Sequence, residues 1–117
     1  MKSGRDLLAE AKGRIKEVTP EQVIEAQRHG EKIVLLDCRD HPEVNLGVIP
    51  GAVHISRGNI ETKVEAIIPR DARVVIYCAS GNRSAFVADT MQQMGYTNVA
   101  SMAGGIRRWA EIGGDID

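Results

Sequence analysis

The chain has 117 residues, 43% of them hydrophobic and 26% charged, and its 15 basic and 16 acidic side chains leave a formal net charge of −1. That length supports a single domain, residues 1–117, with one core and no need of staples; the balanced charge, with no basic block, gives a nucleic-acid partner no electrostatic footing. No apolar run approaches the roughly 20 residues that cross a bilayer, and Met1 to Arg14 carries charges every few residues where a secretory signal needs an apolar stretch, so the expected setting is cytoplasmic, without a membrane partner.

In chain order, residues 5–12 suit a short amphipathic helix within an N-terminal extension, residues 1–14, and Ile15 to Val18 suit a short strand. Thr19-Pro20-Glu21-Gln22 is a helix start: Thr19 as N-cap, Pro20 at the first helical position, Gln22 completing a capping box. Val23, Ile24 and Ala26 give that helix its buried face, and Gly30 suits the position after its end. Ile33-Val34-Leu35-Leu36-Asp37 and Arg73-Val74-Val75-Ile76-Tyr77 are unbroken apolar runs, as expected of strands covered on both faces. Shorter strands are expected at 53–55 and 98–101, and helices near 59–68, 84–94 and 105–112, with Gly95 ending the second of these. The alternation predicts an α/β fold with a mostly parallel central sheet and helices on both faces. Ligands of such sheets bind beyond the carboxyl ends of the strands, which directs attention to the loops after Asp37 and Tyr77.

The second loop, Cys78-Ala79-Ser80-Gly81-Asn82-Arg83-Ser84, joins a buried strand to a helix. A thiol reacts as its thiolate, and an electropositive setting favours that form. The helix start points unpaired N–H groups and a positive dipole end at the loop. Ala79, Ser80 and Gly81 are small enough for their amides to curl around an anion. Gly81 and Asn82 are the types that best tolerate positive φ in such a curl. Arg83 is suited to hold an oxyanion in a bidentate manner, and Ser84 either caps the helix or bonds the sulfur. Cysteine and arginine at this spacing say little alone; the order of strand, cysteine, small residues, arginine, serine and helix favours an anion-binding, reactive cysteine.

The same loop resembles the active-site loop of the rhodanese domain, and flanking segments match that family in order. Asp37-Cys38-Arg39 resembles its Asp-x-Arg. Glu43 with Gly47-Val48-Ile49-Pro50-Gly51-Ala52 resembles its Glu-x-x-x-Gly-His-Ile-Pro-Gly-Ala. Gly95-Tyr96 with Val99 resembles its Gly-Tyr-x-x-Val, and Gly104-Gly105 with Trp109 its closing Gly-Gly-x-x-x-Trp. The resemblance implies a three-layer rhodanese-like fold and a sulfurtransferase in which Cys78 takes a sulfane sulfur from thiosulfate or a related donor. The sulfur then passes from the persulfide to a cellular thiol, or to cyanide in assays. Cys78 and Arg83 are then catalytic, Ala79, Ser80, Gly81, Asn82 and Ser84 substrate-binding, and Asp37 and Arg39 supporting. No metal or organic cofactor is implied. In the family the sulfur-transferring loop runs six residues from cysteine to arginine, as Cys78 to Arg83 does; phosphatase relatives carry one more, making a wider cradle.

The chain departs from the pattern at Val48, where the family has histidine, and at Asn82, where some members carry a larger or basic residue. Val48 puts local packing after Gly47 in question, and Asn82 leaves room for a donor other than thiosulfate. Asp37 and Arg39 read first as an ion pair anchoring strand ends. The two cysteines, Cys38 and Cys78, are too few for a disulfide framework and wrongly spaced for zinc. Cys38 reads first as a small buried residue, with a second thiol that resolves the persulfide, or a disulfide to Cys78, as the lesser readings. His29, His41 and His54 have no ligand spacing and read as surface or turn residues; Trp109 reads as core, Arg107 and Arg108 as solvated, Arg57 as a lesser candidate for the pocket rim. The alternative to an enzyme is a persulfide carrier loaded by a partner protein with its own thiol. An interaction domain without chemistry fits poorly, because Cys78 and Arg83 are both present.

Overall fold

The computed structural model describes residues 1–117. Helix α1 (Gly4–Arg14) leads into strand β1 (Lys16–Val18), helix α2 (Pro20–Arg28), strand β2 (Val34–Asp37), a single helical turn α3 (His41–Val44) and strand β3 (Val53–His54). A 3₁₀ turn (Arg57–Asn59) then opens helix α4 (Ile60–Ile67), followed by strand β4 (Val74–Tyr77), helix α5 (Asn82–Gln93), strand β5 (Val99–Met102) and helix α6 (Gly105–Glu111). The five strands form one sheet in the order β1-β5-β4-β2-β3, and every pairing is parallel.

The layers follow from the side-chain alternation of buried strands. Leu36 and Ile76 turn to one face and join Ile60 and Val64 of α4 with Val87, Ala88 and Met91 of α5. Leu35, Val75 and Tyr77 turn to the other and join Val23 of α2 and Trp109 of α6. The sheet is thus covered on both faces, which explains the unbroken apolar runs. Outside this core α1 packs along α5, tied by Arg14 to the Asp89 carboxylate at 2.8 and 3.0 Å. Trp109 belongs to the core, as expected, and its indole N–H donates to the Asp115 carbonyl at 2.8 Å.

The helix signals are realised where they were strongest. Thr19 and Gln22 form the reciprocal capping box, and Gly30 and Gly95 adopt φ of +74° and +97° just past their helices. Two departures bear on the site. α3 is too short to leave a periodic signal; its start is fixed by Asp40 and Glu43, whose carboxylate accepts the Asp40 N–H at 3.2 Å. α5 begins at Asn82, two residues before the expected Ser84, because Gly81 alone turns the chain, at φ +99°. Asn82 does not take positive φ: only glycines do. Ser84 is therefore inside the first turn and does not cap the helix.

Cys78 leaves the end of the central strand β4, and the start of α6 closes over it. The first turn of a helix has N–H groups without helical partners; here Ile106 N donates to the Cys78 carbonyl at 2.9 Å and Arg107 N to the Ala79 carbonyl at 3.2 Å. Gly104 and Gly105, at φ +79° and +59°, permit the approach. A Cβ on Gly105 would fall against the Cys78 carbonyl oxygen and the Ala79 carbonyl group. Gly113 also has positive φ, +86°, but faces open space. Gly105→Ala is expected to cost more than the ~1–3 kcal/mol of backbone strain alone and to reduce activity, whereas Gly113→Ala shows the strain cost only. Denaturant titration of both variants measures the difference.

Candidate functional site

The carbonyls of Cys78 and Ala79 are drawn to α6, and two amides further along the loop reach the sulfur. Gly81 N lies 3.1 Å and Ser84 N 3.4 Å from Cys78 Sγ. Ser84 Oγ lies 3.5 Å from the same sulfur and shares a 2.8 Å hydrogen bond with the buried Ser101 hydroxyl of β5; toward a thiolate, which has no proton to give, the Ser84 hydroxyl is the donor. The sulfur sits at the positive end of α5 in a residue only 1% exposed. Room for a side chain at Gly81 is also lacking, with Gly104 N 3.1 Å and the Met102 carbonyl oxygen 3.4 Å from a Cβ placed there.

These donors decide the protonation state. The neighbouring Cys38 thiol, then the Ser84 hydroxyl and the amides of Ser84 and Ser80, outweigh burial and bring the Cys78 thiol down to about 4. Cys38 is displaced the opposite way, far upward, by its hydrogen bond to the Cys78 sulfur and by its burial. Its S–H donates to the Tyr77 carbonyl oxygen at 3.4 Å, with the Cys78 sulfur its neighbour in the same buried cluster. A charged acceptor makes the stronger bond, so the proton turns to Cys78 when that sulfur is a thiolate. Both cysteines are free thiols.

Arg83 lies in the first turn of α5, but its terminal nitrogens do not wait open for an oxyanion. Nη1 and Nη2 meet the two carboxylate oxygens of Glu43 at 2.6 and 2.8 Å, and this pairing holds the Glu43 carboxyl down at about 2. The bidentate face is occupied, a correction to the expected grip; of the five guanidinium N–H groups the others remain for a ligand. In the sequence Glu43 stands out only as part of a motif, and neither it nor Ser101 carries a signal that joins it to Arg83 or Ser84.

Asp37 and Arg39 form the ion pair that was expected. The Arg39 guanidinium meets the Asp37 carboxylate at 2.8 and 3.0 Å, with both side chains almost wholly buried. Arg39 also donates to the Gly47 carbonyl at 2.7 Å and the Glu43 carbonyl at 3.4 Å. This fixes the segment that carries Glu43, so the pair acts on the site through backbone placement. Tyr77 assists from the same side, its hydroxyl accepting the Ile49 N–H at 3.2 Å. Val48, where the family has histidine, exchanges backbone hydrogen bonds with Asp117 at 2.8 and 3.2 Å, a pairing that either side chain allows.

Arg57 stacks over Phe86 of α5, 4.6 Å from the ring centroid. His29 and His41 are exposed, and His54 bonds the Arg39 carbonyl at 2.7 Å. Beside Ala79 runs a groove of about 290 Å³ with Leu46, Ile106, Ala110 and Ile116 along its walls and Arg107 at its edge. No helix is long and apolar enough to cross a membrane.

A family model described as the rhodanese-like domain matches residues 19–112. A sulfurtransferase from Allochromatium vinosum is 34% identical over 99 residues, covering 85% of this chain and 92% of that protein. The thiosulfate sulfurtransferase GlpE of Pseudomonas aeruginosa is 32% identical over 95 residues, covering 81% of this chain and 84% of that one. Among solved structures, a Rhodopseudomonas palustris protein of unknown function, described as a possible tyrosine phosphatase, superposes with a TM-score of 0.90 at 33% identity over all of this chain and 96% of its own.

The depressed Cys78 thiol gives a direct test. A thiolate is populated above its pKa, so alkylation of Cys78 by a small uncharged reagent is expected to be flat across neutral pH, where an ordinary thiol still climbs toward about 8.5. Ser84→Ala, which removes one donor, shifts the inflection upward. Rates measured by mass spectrometry across acid and neutral pH read both; a wild-type profile that still rises through pH 8 would show that the donors do not hold the anion.

Proposed function

We propose that this chain, which belongs to the rhodanese-like domain family, moves a sulfane sulfur from thiosulfate or a related donor to a thiophilic acceptor through a persulfide on Cys78. The observation that carries the reading is the convergence of the Gly81 and Ser84 amides and the Ser84 hydroxyl on one buried cysteine sulfur.

The Cys78 thiolate attacks the outer sulfur of thiosulfate; the S–S bond of the donor breaks and sulfite leaves with the electron pair. The product persulfide is itself an anion on its outer sulfur, and the donors at Ser80, Gly81 and Ser84 stabilise charge there as they do on the thiolate. A thiolate or cyanide then attacks the outer sulfur, and Cys78 departs as the thiolate it began as. Every step keeps one negative charge within the cradle, which is what fixed amide donors favour. Arg83 biases the mouth toward anionic donors. The apolar groove beside Ala79 offers the approach for an acceptor with a hydrocarbon body, including a partner protein's thiol. The chemistry requires Cys78 reduced, which fits a cytoplasmic setting.

The phosphatase description of the R. palustris structure has less support here. A phosphoryl group over Cys78 needs donors around three peripheral oxygens, whereas the short loop from Cys78 to Arg83 directs its amides at the sulfur itself and Glu43 occupies the Arg83 fork.

Incubation with thiosulfate followed by intact-protein mass spectrometry is expected to add one sulfur atom to the wild type, removable by cyanide, and none to Cys78→Ser. No gain from thiosulfate but a gain from a protein persulfide would make the chain a relay module; sulfur retained by Cys78→Ser would remove the mechanism altogether. Arg83→Ala leaves Glu43 unpaired at the mouth, so KM for thiosulfate is expected to rise on the order of tenfold, the weight of ~1.4 kcal/mol, with a smaller change for an uncharged persulfide donor. Adding Glu43→Gln recovers part of the loss, and steady-state kinetics on the two donors separate the charge effect from general damage.

A further inference from the structure

A second sulfur stands beside the first. β2 and β4 pair in parallel with Asp37 opposite Tyr77, and the next residue of each chain is a cysteine. The ladder continues one step, because the Cys38 amide donates to the Tyr77 carbonyl at 3.1 Å. Side chains alternate along paired strands, so Cys38 and Cys78 leave on the same face, the face of Leu36 and Ile76, and all four lie in one buried cluster. Neighbouring strands run about 4.7–4.9 Å apart, within the Cα separation of about 4.4–6.8 Å across which a disulfide closes. The amides of Gly81 and Ser84 reach the Cys78 sulfur from the loop and the start of α5, whereas Cys38 meets it from the adjacent strand.

We propose that Cys38 is a resolving thiol, which attacks the Cys78 sulfur of the persulfide and expels its outer sulfur as hydrosulfide, giving the protein a second activity: reductive release of sulfide from sulfane-sulfur donors. The proposal rests on the persulfide reading above. In the step, a bond forms between the Cys38 and Cys78 sulfurs and the bond from Cys78 to the outer sulfur breaks. The Cys38 proton passes to the outer sulfur, which leaves as HS⁻ with the bonding electron pair. The sulfane sulfur takes up two electrons and the cysteine pair gives them, so the donor is the only oxidant. A low-molecular-weight thiol reopens the disulfide by exchange and resets the site.

The environment of Cys38 suits this sequence of events. Cys38 is fully buried, at 0% exposure, and in the resting site it keeps its proton beside the Cys78 sulfur, to give it up as it attacks. Once deprotonated it is the more basic of the two cysteines, and intrinsic thiolate nucleophilicity rises with basicity. An acceptor arriving through the mouth competes by taking the outer sulfur before Cys38 reaches the inner one. The partition between transfer and release is then set by acceptor supply.

The test uses the reduced full chain under anaerobic conditions with thiosulfate and no acceptor. The wild type is expected to release hydrosulfide stoichiometrically with chain and to end lighter by two hydrogen atoms, with Cys38 and Cys78 linked in a peptide map. Cys38→Ser and Cys38→Ala are expected to load more slowly but to keep the added sulfur, releasing at least roughly tenfold less hydrosulfide. Sulfur uptake by these variants itself shows that they fold. A wild type that holds its persulfide as long as Cys38→Ser does, or releases hydrosulfide at the same rate, overturns the resolving role while leaving sulfur transfer intact. If no form of the chain takes up sulfur, from thiosulfate or from a polysulfide, the persulfide reading fails and this proposal falls with it.

Discussion

The site depends on two hydrogen bonds that never touch a ligand. Ile106 N and Arg107 N, left unpaired by the first turn of α6, hold the carbonyls of Cys78 and Ala79. Those two peptide planes carry the Ala79 and Ser80 amides, so fixing their oxygens anchors the start of the loop, from which the Gly81 and Ser84 amides reach the sulfur. The cradle is therefore made by two helix starts acting together. α6 orients the peptides, and α5 supplies the Ser84 amide and the dipole. Neither helix does this alone, because α5 places Arg83 and Ser84 but has no hold on Ala79. The glycines at 81, 104 and 105 are needed where the two starts meet, since a Cβ at any of them would meet atoms of the other segment or of its own first turn.

Around this centre the charges are arranged in pairs. The buried Asp37–Arg39 pair stabilises little by itself, because desolvation offsets most of the attraction. Its value is positional: the remaining Arg39 donors lock the Gly47 and Glu43 carbonyls and so hold the short turn α3 in place. That turn delivers the Glu43 carboxylate to Arg83. Arg83 in turn is held by that carboxylate through both terminal nitrogens. A fully open arginine would swing with the entropy of a long side chain; the carboxylate fixes its plane at the cost of part of its charge.

What the sequence disclosed and what it hid separate along physical lines. The buried strands were legible because sheets covered on both faces demand unbroken apolar runs, and α2 was legible because Thr19, Pro20 and Gln22 form a local code for a helix start. Cys78 was legible for the same reason: the small loop and the helix that serve it follow directly in the chain. The Glu43–Arg83 pair lies 40 residues apart, and Ser84–Ser101 17 apart, so no local pattern joins their members. α3, one turn long, is set by its capping box and by Arg39 and not by any periodicity. The expected positive φ at Asn82 failed because Gly81 made the whole turn, which moved the helix start two residues earlier. The neighbourhood of Cys38 and Cys78 is a product of strand register, which the sequence supports only once the pairing of β2 with β4 is known.

A thiol brought to about 4 invites the view that the cradle exists to sharpen Cys78 as a nucleophile, but magnitudes argue otherwise. At pH 7 an ordinary thiol near 8.5 is about 3% thiolate, so full ionisation gains about thirtyfold in the reactive form. Intrinsic nucleophilicity falls with basicity at a Brønsted slope of about 0.4–0.5, so the same lowering weakens each thiolate as a nucleophile. For the attack on a donor the two effects oppose each other. The second half of the proposed cycle has no such opposition: there Cys78 would be the leaving group, and a weakly basic thiolate departs faster. The converging donors are accordingly best understood as making Cys78 easy to leave, so that sulfur once taken is readily given up. The same acidity separates the two cysteines of the site, one held as an anion and the other as a proton store, although they stand side by side at the ends of adjacent strands.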